Sequence, residues 1–457
     1  MDILPILKQN AFLTLLIKDN FIFANLAYSD LAAERTYILS ESTDLSPLKF
    51  RLDDSTFTKG FWFEYFNSLE RMFDWDIVNR DFEGSFRIKK FVKEEVGVSG
   101  IKVLIDDNQP FFKNIFTSLK EFSNDIALKV LDDKYMEVIS RGVMERLGYN
   151  DVIWIDLDIS HFSIYRTQLI QTQAGIFSKE IEREIKFSSS KIDWNNEIGL
   201  IDFVKSSKLQ AFLAVDSSSE DISNKWANFV AHNSEYISDP VLHDILRAFT
   251  TLQLLSLKQS NREKLDGIVG ENCGIFVSGN IGKLLKRREL LISLLDGLEL
   301  EGNIDLYIDE ENKVLSFGKS MMEKEISQDI VVFKGDILPK VFKVLIPDIP
   351  SRSKNKIIFS GKYLAQNTES KDIFALGSIL QFMKLPELEE KVIIEGVLKN
   401  GAVFSHFNSS GVQFMSDKKG VLYEYLVVDG RSRPIIYGPS VQNNMIKLKI
   451  WGDGDKE

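Results

Sequence analysis

Cysteine, histidine and proline are scarce in this chain, and each scarcity excludes a class of protein. The single cysteine among 457 residues, Cys273, excludes an internal disulfide framework and a thiolate zinc cluster. The four histidines are His161, His232, His243 and His406. Their spacing forms no HxxxH or HExxH pair, which removes the usual histidine-based zinc motifs. The low proline content, 10 residues, argues against long disordered linkers.

Long apolar runs and a basic surface stripe are also missing. No apolar run approaches the length of roughly 20 residues that a membrane-spanning helix needs. The first residues lack the basic and apolar regions of a secretory signal. The formal net charge of −11 disfavours non-specific binding to nucleic acid. We therefore expect a cytoplasmic protein with no transmembrane segment and no nucleic-acid partner.

The composition is that of a globular chain with an ample core. Hydrophobic residues make up 44% and charged residues 27%, and the length suits roughly three domains of about 150 residues each. The apolar pattern predicts a first lobe over residues 1–150 and a second over 151–330. From about residue 331 the chain becomes rich in predicted strands, which indicates a β-rich C-terminal module over 331–457.

Two predicted hairpins suggest a coarse internal duplication. Residues 11–28 form two apolar runs around the turn Lys18-Asp19-Asn20, which is typical of a strand–turn–strand unit. Residues 151–168 repeat this pattern with better-defined strands. Each hairpin is followed by helical patterns, including a helix for which Asp239 is the predicted N-cap and Pro240 the first residue.

The second hairpin carries the chemistry that the sequence offers. Its apolar strand ends in Asp156 and Asp158, and the hydroxyl-bearing Ser160 and Ser163 follow. Carboxylates and hydroxyls at such a tip would hold Mg²⁺ beside a phosphate. The alternative, which the residues leave open, is a solvated strand end with local Asx-type turn bonding.

The order of these elements resembles the actin-like ATPase superfamily, which includes DnaK-type chaperones, FtsA and PilM. A strand at Ile101–Ile105, a helix from Phe111, a helix ending at Gly148 and the hairpin Val152–Arg166 follow one another as in that superfamily. The resemblance implies an α/β fold of two ribonuclease-H-like lobes, each beginning with a hairpin that grips phosphate. It also implies ATP and Mg²⁺ as cofactors.

A narrower resemblance covers roughly residues 130–457. The run Val277-Ser-Gly-Asn-Ile-Gly-Lys-Leu-Leu285, the segment Val314–Gly318 and the tail from Leu426 are similar to the MutL branch associated with glutamate mutase. Proteins of that branch are regarded as activators or protectors of radical mutases. The resemblance therefore implies a protein partner, whose identity and stoichiometry the sequence does not predict.

The resemblance to the superfamily also implies a set of nucleotide-binding residues. Asp156 would hold Mg²⁺ through water, and Asp158 would stand beside it. Ser160 and His161 would line the phosphates. From the second lobe, the base would be contacted by Ser278, Gly279 and Asn280. From the first lobe, the phosphates would be faced by Lys18, Asp19 and Asn20.

The hairpins depart from the superfamily pattern at the glycines. That pattern is Asp-x-Gly, in which the glycine lets backbone N–H groups approach the phosphates. The second hairpin has Asp156-Leu157-Asp158, and the first, Leu16-Ile-Lys-Asp-Asn20, has no such motif. We therefore expect a partner-binding scaffold or activator with weak or absent ATP binding. An active ATPase of MutL or chaperone type is the alternative.

A third interpretation makes the chain a hydrolase. The strand ending Asp156-Leu-Asp158 resembles the first motif of haloacid-dehalogenase-type phosphatases, where the first Asp attacks phosphorus and the second acts as acid and base. Ile275–Gly279 would then be the second motif and Lys313 a candidate third. The fourth motif, an acidic pair after a strand, has no match, and the first 150 residues have no role in this interpretation.

Overall fold

Two β-sheets that share one strand order form the framework of the chain, as seen in a computed structural model. The described residues are 11–18, 21–30, 35–45, 98–106, 112–122, 126–159, 162–170, 180–188, 209–214, 217–231, 239–261, 269–322, 341–365, 371–385, 392–404, 411–415, 423–431 and 441–452, with isolated positions between 48 and 69. Everything stated below about the structure refers to these residues.

The first sheet contains five strands in the order β3-β2-β1-β4-β5. Its strands are β1 (Ala11–Lys18), β2 (Phe21–Asp30), β3 (Arg35–Asp44), β4 (Val98–Asp106) and β5 (Ile126–Leu131). The pairs β1–β2 and β2–β3 are antiparallel, whereas β1–β4 and β4–β5 are parallel. The predicted hairpin at 11–28 is therefore present, with Lys18 opposite Phe21.

The core beside this sheet is built from helical aromatic residues. Trp62 is fully buried and belongs to the same hydrophobic cluster as Leu15 and Ile105. Its indole Nε1 donates a hydrogen bond of 2.9 Å to Oγ of Ser118, on helix α1 (Phe112–Phe122). The indole is thus buried with its polar atom paired, as a stable core requires.

The second sheet repeats the first and then extends it. Its order is β14-β17-β11-β10-β9-β6-β7-β8. The repeated strands are β6 (Asp151–Leu157), β7 (Phe162–Ile170), β8 (Glu180–Ser188), β9 (Val269–Ser278) and β10 (Glu301–Ile308). The pairs β6–β7 and β7–β8 are antiparallel, and β6–β9 and β9–β10 are parallel. Order and direction both match the first sheet, so the predicted duplication is present.

Three C-terminal strands complete the second sheet, and four others form a sheet of their own. Strands β11 (Val341–Ile346), β14 (Leu380–Lys384) and β17 (Tyr423–Asp429) lie beyond β10. The separate antiparallel sheet has the order β13-β12-β15-β16. Its strands are β12 (Ile357–Ala365), β13 (Lys371–Leu376), β15 (Val392–Leu398) and β16 (Gly411–Met415). The C-terminal part is therefore β-rich, as predicted.

The division of the chain differs from the boundaries predicted at residues 150 and 330. One unit contains Met1–Gly142 and Asp309–Leu338, and the other contains Val143–Ile308 and Pro339–Glu457. Residues after 308 return to the first unit because helix α7 (Lys313–Met322) packs there: Tyr135 Oη donates to the carbonyl oxygen of Leu315 at 2.8 Å. Residues after 338 join the second unit because β11 pairs with β10.

Helices of the second unit follow local capping and packing rules. They are α3 (Ser219–Ala231), α4 (Pro240–Ser260), α5 (Asn280–Leu284), α6 (Arg287–Leu298) and α8 (Val441–Gly452). The start of α4 is as predicted: Oδ1 of Asp239 accepts from Val241 N at 2.8 Å and from Leu242 N at 3.3 Å. The first unit holds α2 (Asp133–Leu147) up to residue 142. Over the described residues, no helix has the length and apolarity to cross a membrane.

Candidate functional site

The end of strand β6 is where the predicted site residues of the second unit meet. Every residue of β6 is buried, since β6 lies between β9 and β7 in the sheet. Asp156 on β6 and Ser278 on β9 are partners in the parallel register, so their side chains lie on the same face. Oγ of Ser278 donates a hydrogen bond of 2.9 Å to Oδ1 of Asp156. Ser278 is fully buried and Asp156 is 6% exposed.

A tryptophan completes the hydrogen bonding of this serine. Nε1 of Trp154 donates to Oγ of Ser278 at 2.8 Å. A hydroxyl carries one proton and accepts on its oxygen, so Ser278 donates to the carboxylate and accepts from the indole. The Trp154 ring stacks on Phe276 at 5.2 Å, which stacks on Tyr307 at 4.3 Å. This row of rings across three parallel strands holds Trp154, and through it Ser278, in place.

Asp158 occupies the position at which the superfamily pattern has glycine, and it points into the protein. The residue is fully buried, and its Oδ1 accepts a hydrogen bond of 3.1 Å from the backbone N–H of Asn280. Asn280 is the first residue of α5, where backbone N–H groups lack partners within the helix. The carboxylate of Asp158 therefore satisfies a backbone donor at the start of α5.

Gly279 lets the β9 loop lie directly against the β6 hairpin. Its φ of 98° and ψ of 172° fall in a region that only glycine populates readily. A Cβ placed on Gly279 would lie 2.3 Å from the carbonyl oxygen of Leu157, far inside any van der Waals contact. The glycine that the sequence singles out thus serves backbone-to-backbone packing between the loop and the hairpin.

The predicted site residues are therefore only partly brought together. Asp156, Asp158, Ser278, Gly279 and Asn280 form one cluster at the ends of β6 and β9. The other unit holds Lys18, fully buried at the end of β1. The remaining four lie outside the described residues: Asp19, Asn20, Ser160 and His161.

Trp154 is the participant that the sequence interpretation missed. The signal was present, because strand alternation puts Trp154 on the face of Asp156 two residues away. What was not visible was the hydroxyl to which the indole would donate, since Ser278 lies 124 residues later. Only the parallel pairing of β6 with β9 brings the two together.

The two carboxylates of this cluster accept hydrogen bonds from the chain itself. One carboxylate oxygen of Asp156 accepts from Ser278, and Asp158 caps the backbone N–H at the start of α5. Across the described ranges, no group of three or more His, Cys, Asp and Glu side chains is placed to hold a metal ion.

The geometry also disfavours the phosphatase interpretation. That chemistry needs the second carboxylate of the motif to move a proton to the leaving group. Asp158 is fully buried and bound to the backbone of Asn280, so it cannot reach a substrate without breaking the loop contact. Asp156 is likewise held by Ser278 rather than presented as a nucleophile.

A second polar cluster lies towards the other end of the same strands. Oη of Tyr149 donates to Oδ2 of Asp305 at 2.8 Å and lies 2.5 Å from Oη of Tyr307. Nζ of Lys343 donates to Oδ1 of Asp305 at 2.7 Å. Burial raises the pKa of Tyr149 well above its ordinary value, and the nearby Tyr307 and Asp305 raise it further. The cluster is a satisfied buried network, which is the ordinary state of polar groups in a core.

Comparisons with known proteins give distant structural likeness and nothing at the level of sequence. No protein-family model matches the chain, and no curated protein matches it. A solved structure of the ethanolamine utilization protein EutJ from Carboxydothermus hydrogenoformans has 12% identity and a TM-score of 0.34, covering 68% of this chain and 89% of that protein. The Ppx/GppA family member of Aquifex aeolicus has 10% identity and a TM-score of 0.30, and the match covers 70% of this chain and 99% of that protein. Hexokinase from Schistosoma mansoni, solved with glucose, has 7% identity and a TM-score of 0.33, and the match covers 69% of this chain and 85% of that protein.

Because these TM-scores are low, the assignment of the fold rests on the sheets themselves. Five strands in the order β3-β2-β1-β4-β5 occur twice, with the same antiparallel hairpin first and the same parallel strands after it. This is the pair of ribonuclease-H-like halves that the sequence resemblance implied. The chain therefore has the fold of the actin-like ATPase superfamily.

Proposed function

We propose that this chain is a partner-binding scaffold or activator of actin-like fold, with weak or absent ATP binding. The observation that carries the proposal is the hydrogen bond from the backbone N–H of Asn280 to the buried carboxylate of Asp158. In this interpretation the carboxylate at the hairpin end is bound to the chain's own backbone at the start of α5. The Asp158–Asn280 hydrogen bond then has a structural role, because it links the end of β6 to the loop after β9.

The size of the electrostatic effect supports weak binding. Two like charges about 4 Å apart repel by about 4 kcal/mol at an effective dielectric constant near 20. Each 1.4 kcal/mol changes a dissociation constant about tenfold, so a repulsion of this size from an ionised Asp158 would weaken phosphate binding. The superfamily glycine imposes no such repulsion.

The partner part of the proposal rests on the MutL resemblance of residues 277–318 and of the tail from Leu426. In this proposal the partner is a protein, and the setting is the cytoplasm, which the single cysteine supports. Retained ATPase activity is the competing function, and the nucleotide experiment separates the two.

The test is thermal unfolding with and without millimolar Mg·ATP or Mg·ADP. A ligand whose dissociation constant is one hundredth of its concentration stabilises the native state by about 2.7 kcal/mol, so retained tight binding would be obvious. We expect no shift for the wild type. A shift that Asp156→Ala removes would overturn the proposal and make the ATPase interpretation the better one.

The variant Asp158→Gly sharpens this test because it restores the superfamily pattern Asp-x-Gly. We expect it to gain a nucleotide-dependent stabilisation that the wild type lacks. Asp158→Asn is the matched control, since its amide oxygen still accepts from Asn280 but carries no charge. Equal nucleotide responses of the wild type and Asp158→Gly would show that Asp158 does not block the site.

A further inference from the structure

Two turns at one end of the four-stranded sheet carry four exposed cations on an otherwise acidic chain. Arg352, Lys354 and Lys356 lie around a short 3₁₀ turn at Ser351–Ser353, and Lys399 follows β15. Over the described ranges none of these four side chains forms an ion pair. The whole chain has a net charge of −11. These two turns are therefore a positively charged region on a negatively charged protein.

The two turns are fastened to each other, which fixes the positions of the cations. Ser353 is fully buried, and its Oγ donates to the carbonyl oxygen of Asn400 at 2.5 Å. Nδ2 of Asn400 donates to the carbonyl oxygen of Ile357 at 2.7 Å. At Gly401, whose φ is +82°, a Cβ would lie 3.3 Å from Nη2 of Arg352. The Arg352 guanidinium thus lies close to the backbone of Gly401, and the hydrogen bonds of Ser353 and Asn400 hold the two turns together.

An apolar strip adjoins these turns on the same sheet. Phe374 on β13 and Val397 on β15 both pair in register with Ser360 on β12, so the three side chains form one row. Phe374 is 48% exposed and Val397 is 47% exposed. Val397 precedes Lys399 by two residues, and the exposed Ile357 follows Lys356 directly. Exposed apolar groups that are rimmed by polar residues mark interaction sites.

We propose that these turns and this strip, the basic-apolar surface, bind a short acidic segment of a partner protein in which apolar side chains are interspersed. The inference rests on the proposed function, because it supplies the partner's chemistry for the scaffold. Carboxylates of the segment would meet Arg352, Lys354, Lys356 and Lys399, and its apolar side chains would cover Phe374 and Val397. Charge steers and orients such an encounter, while the apolar contact adds burial.

Charge also decides against an extended polyanion as the occupant. Electrostatic attraction fades over a Debye length of about 8 Å at physiological ionic strength. A membrane or a nucleic acid extends further than that and would meet the acidic remainder of the chain. The basic character ends within the sheet itself, where Lys362 has Asp372 and Glu395 as its register partners on either side. A short segment that ends at Phe374 and Val397 can lie over the four cations without extending across the row of Asp372, Lys362 and Glu395.

The experiment is fluorescence anisotropy with the full-length chain and a fluorescein-labelled peptide of repeated Glu-Leu-Asp-Val units. We expect saturable binding that weakens as salt is raised. The double variant Arg352→Glu, Lys354→Glu should bind at least about tenfold more weakly, which corresponds to about 1.4 kcal/mol. Phe374→Ser should also weaken binding, but with the salt dependence unchanged.

The matched control reverses two exposed lysines elsewhere, Lys120→Glu with Lys134→Glu, and should leave the affinity close to that of the wild type. Absence of peptide binding, or an equal loss in this control, overturns the proposal. Tighter binding to phosphatidylserine vesicles or to oligo-dT than to the peptide also overturns it, in favour of a membrane or a nucleic acid. A nucleotide shift in the earlier test would instead sink the proposed function and leave the peptide result standing.

Discussion

At the scale of single residues, Gly279 has the narrowest tolerance in the candidate site. An alanine there would place its Cβ 2.3 Å from the Leu157 carbonyl oxygen, at a φ of +98°. Strained backbone of this kind costs on the order of 1–3 kcal/mol before the clash is counted. We therefore expect Gly279→Ala to lower the free energy of unfolding by at least about 2 kcal/mol, as measured by urea denaturation.

Gly282, three residues later, provides the control for this prediction. It lies inside α5 and has no atom within 4 Å of where its Cβ would be. Alanine is a better helix former than glycine by up to about 1 kcal/mol, so Gly282→Ala should be neutral or stabilising. Equal losses in the two variants would contradict the backbone packing described between the loop and the hairpin.

Asp309 is the residue for which a pH dependence follows. Its carboxylate accepts from Lys313 N at 2.7 Å and from Val314 N at 2.8 Å at the start of α7. Burial nevertheless raises its pKa to about 7, well above the ordinary value of about 3.9. Between these values the folded chain holds a proton that the unfolded chain has released. The contribution of Asp309 to stability therefore falls as pH rises towards 7, by about 1.4 kcal/mol for each pH unit.

Asp309→Asn removes this titration and keeps one acceptor oxygen. We expect the free energy of unfolding of the variant, relative to wild type, to rise steadily from pH 5 to pH 7. Above pH 8 the two should change in parallel. Urea titrations of both proteins across this range measure the difference, and identical pH slopes throughout would show that Asp309 is ionised in the folded chain.

At the scale of elements, the sequence predicted what local chemistry decides. The strand–turn–strand unit of 151–168 and the N-cap at Asp239 both depend on residues within one turn or one hairpin, and both predictions are confirmed. The role of Asp158 was not predictable in this way. Its partner Asn280 lies 122 residues away, so no residue near the hairpin in sequence indicates that Asp158 accepts a hydrogen bond from the backbone at the start of α5.

The Asp239 cap gives a prediction for helix α4. Its Oδ1 accepts from two backbone N–H groups at the helix start, and its other oxygen pairs with Lys225. Replacing an N-cap aspartate by alanine costs about 1 kcal/mol, so Asp239→Ala should lower the free energy of unfolding by about that amount. Lys225→Ala, which removes only a partly exposed ion pair, should cost less. A larger loss from Lys225→Ala would place the stabilisation in the ion pair rather than in the cap.

At the scale of the whole molecule, repetition was easier to predict than division. The same hairpin pattern occurs twice in the sequence, and the same strand order occurs twice in the structure. The division of the chain differs from the boundaries predicted at 150 and 330. Helix α7 belongs to the first unit although it follows β10 of the second, and strand β11 belongs to the second unit because it pairs with β10. Composition changes mark where an element begins, but they carry no information on the sheet it joins.

The single cysteine offers a measurement on the folded chain as a whole. Cys273 is buried on β9, between β6 and β10 in the eight-stranded sheet. Burial raises the pKa of its thiol, and the carboxylate of Asp151 raises it further, so reactive thiolate is scarce. A thiol reagent at pH 8 should therefore modify the native chain only as fast as the sheet opens, and modify it fully in guanidinium chloride.

Because one thiol is present, the labelling rate against denaturant gives the free energy of that opening without a competing signal. A steep dependence on denaturant would mean that Cys273 becomes accessible only when a large surface is exposed, as the central position of β9 requires. The Cys273→Ala variant should give no signal and serves as the blank. Rapid modification without denaturant would show that the reagent reaches Cys273 through a local fluctuation of β9 and not through opening of the whole sheet.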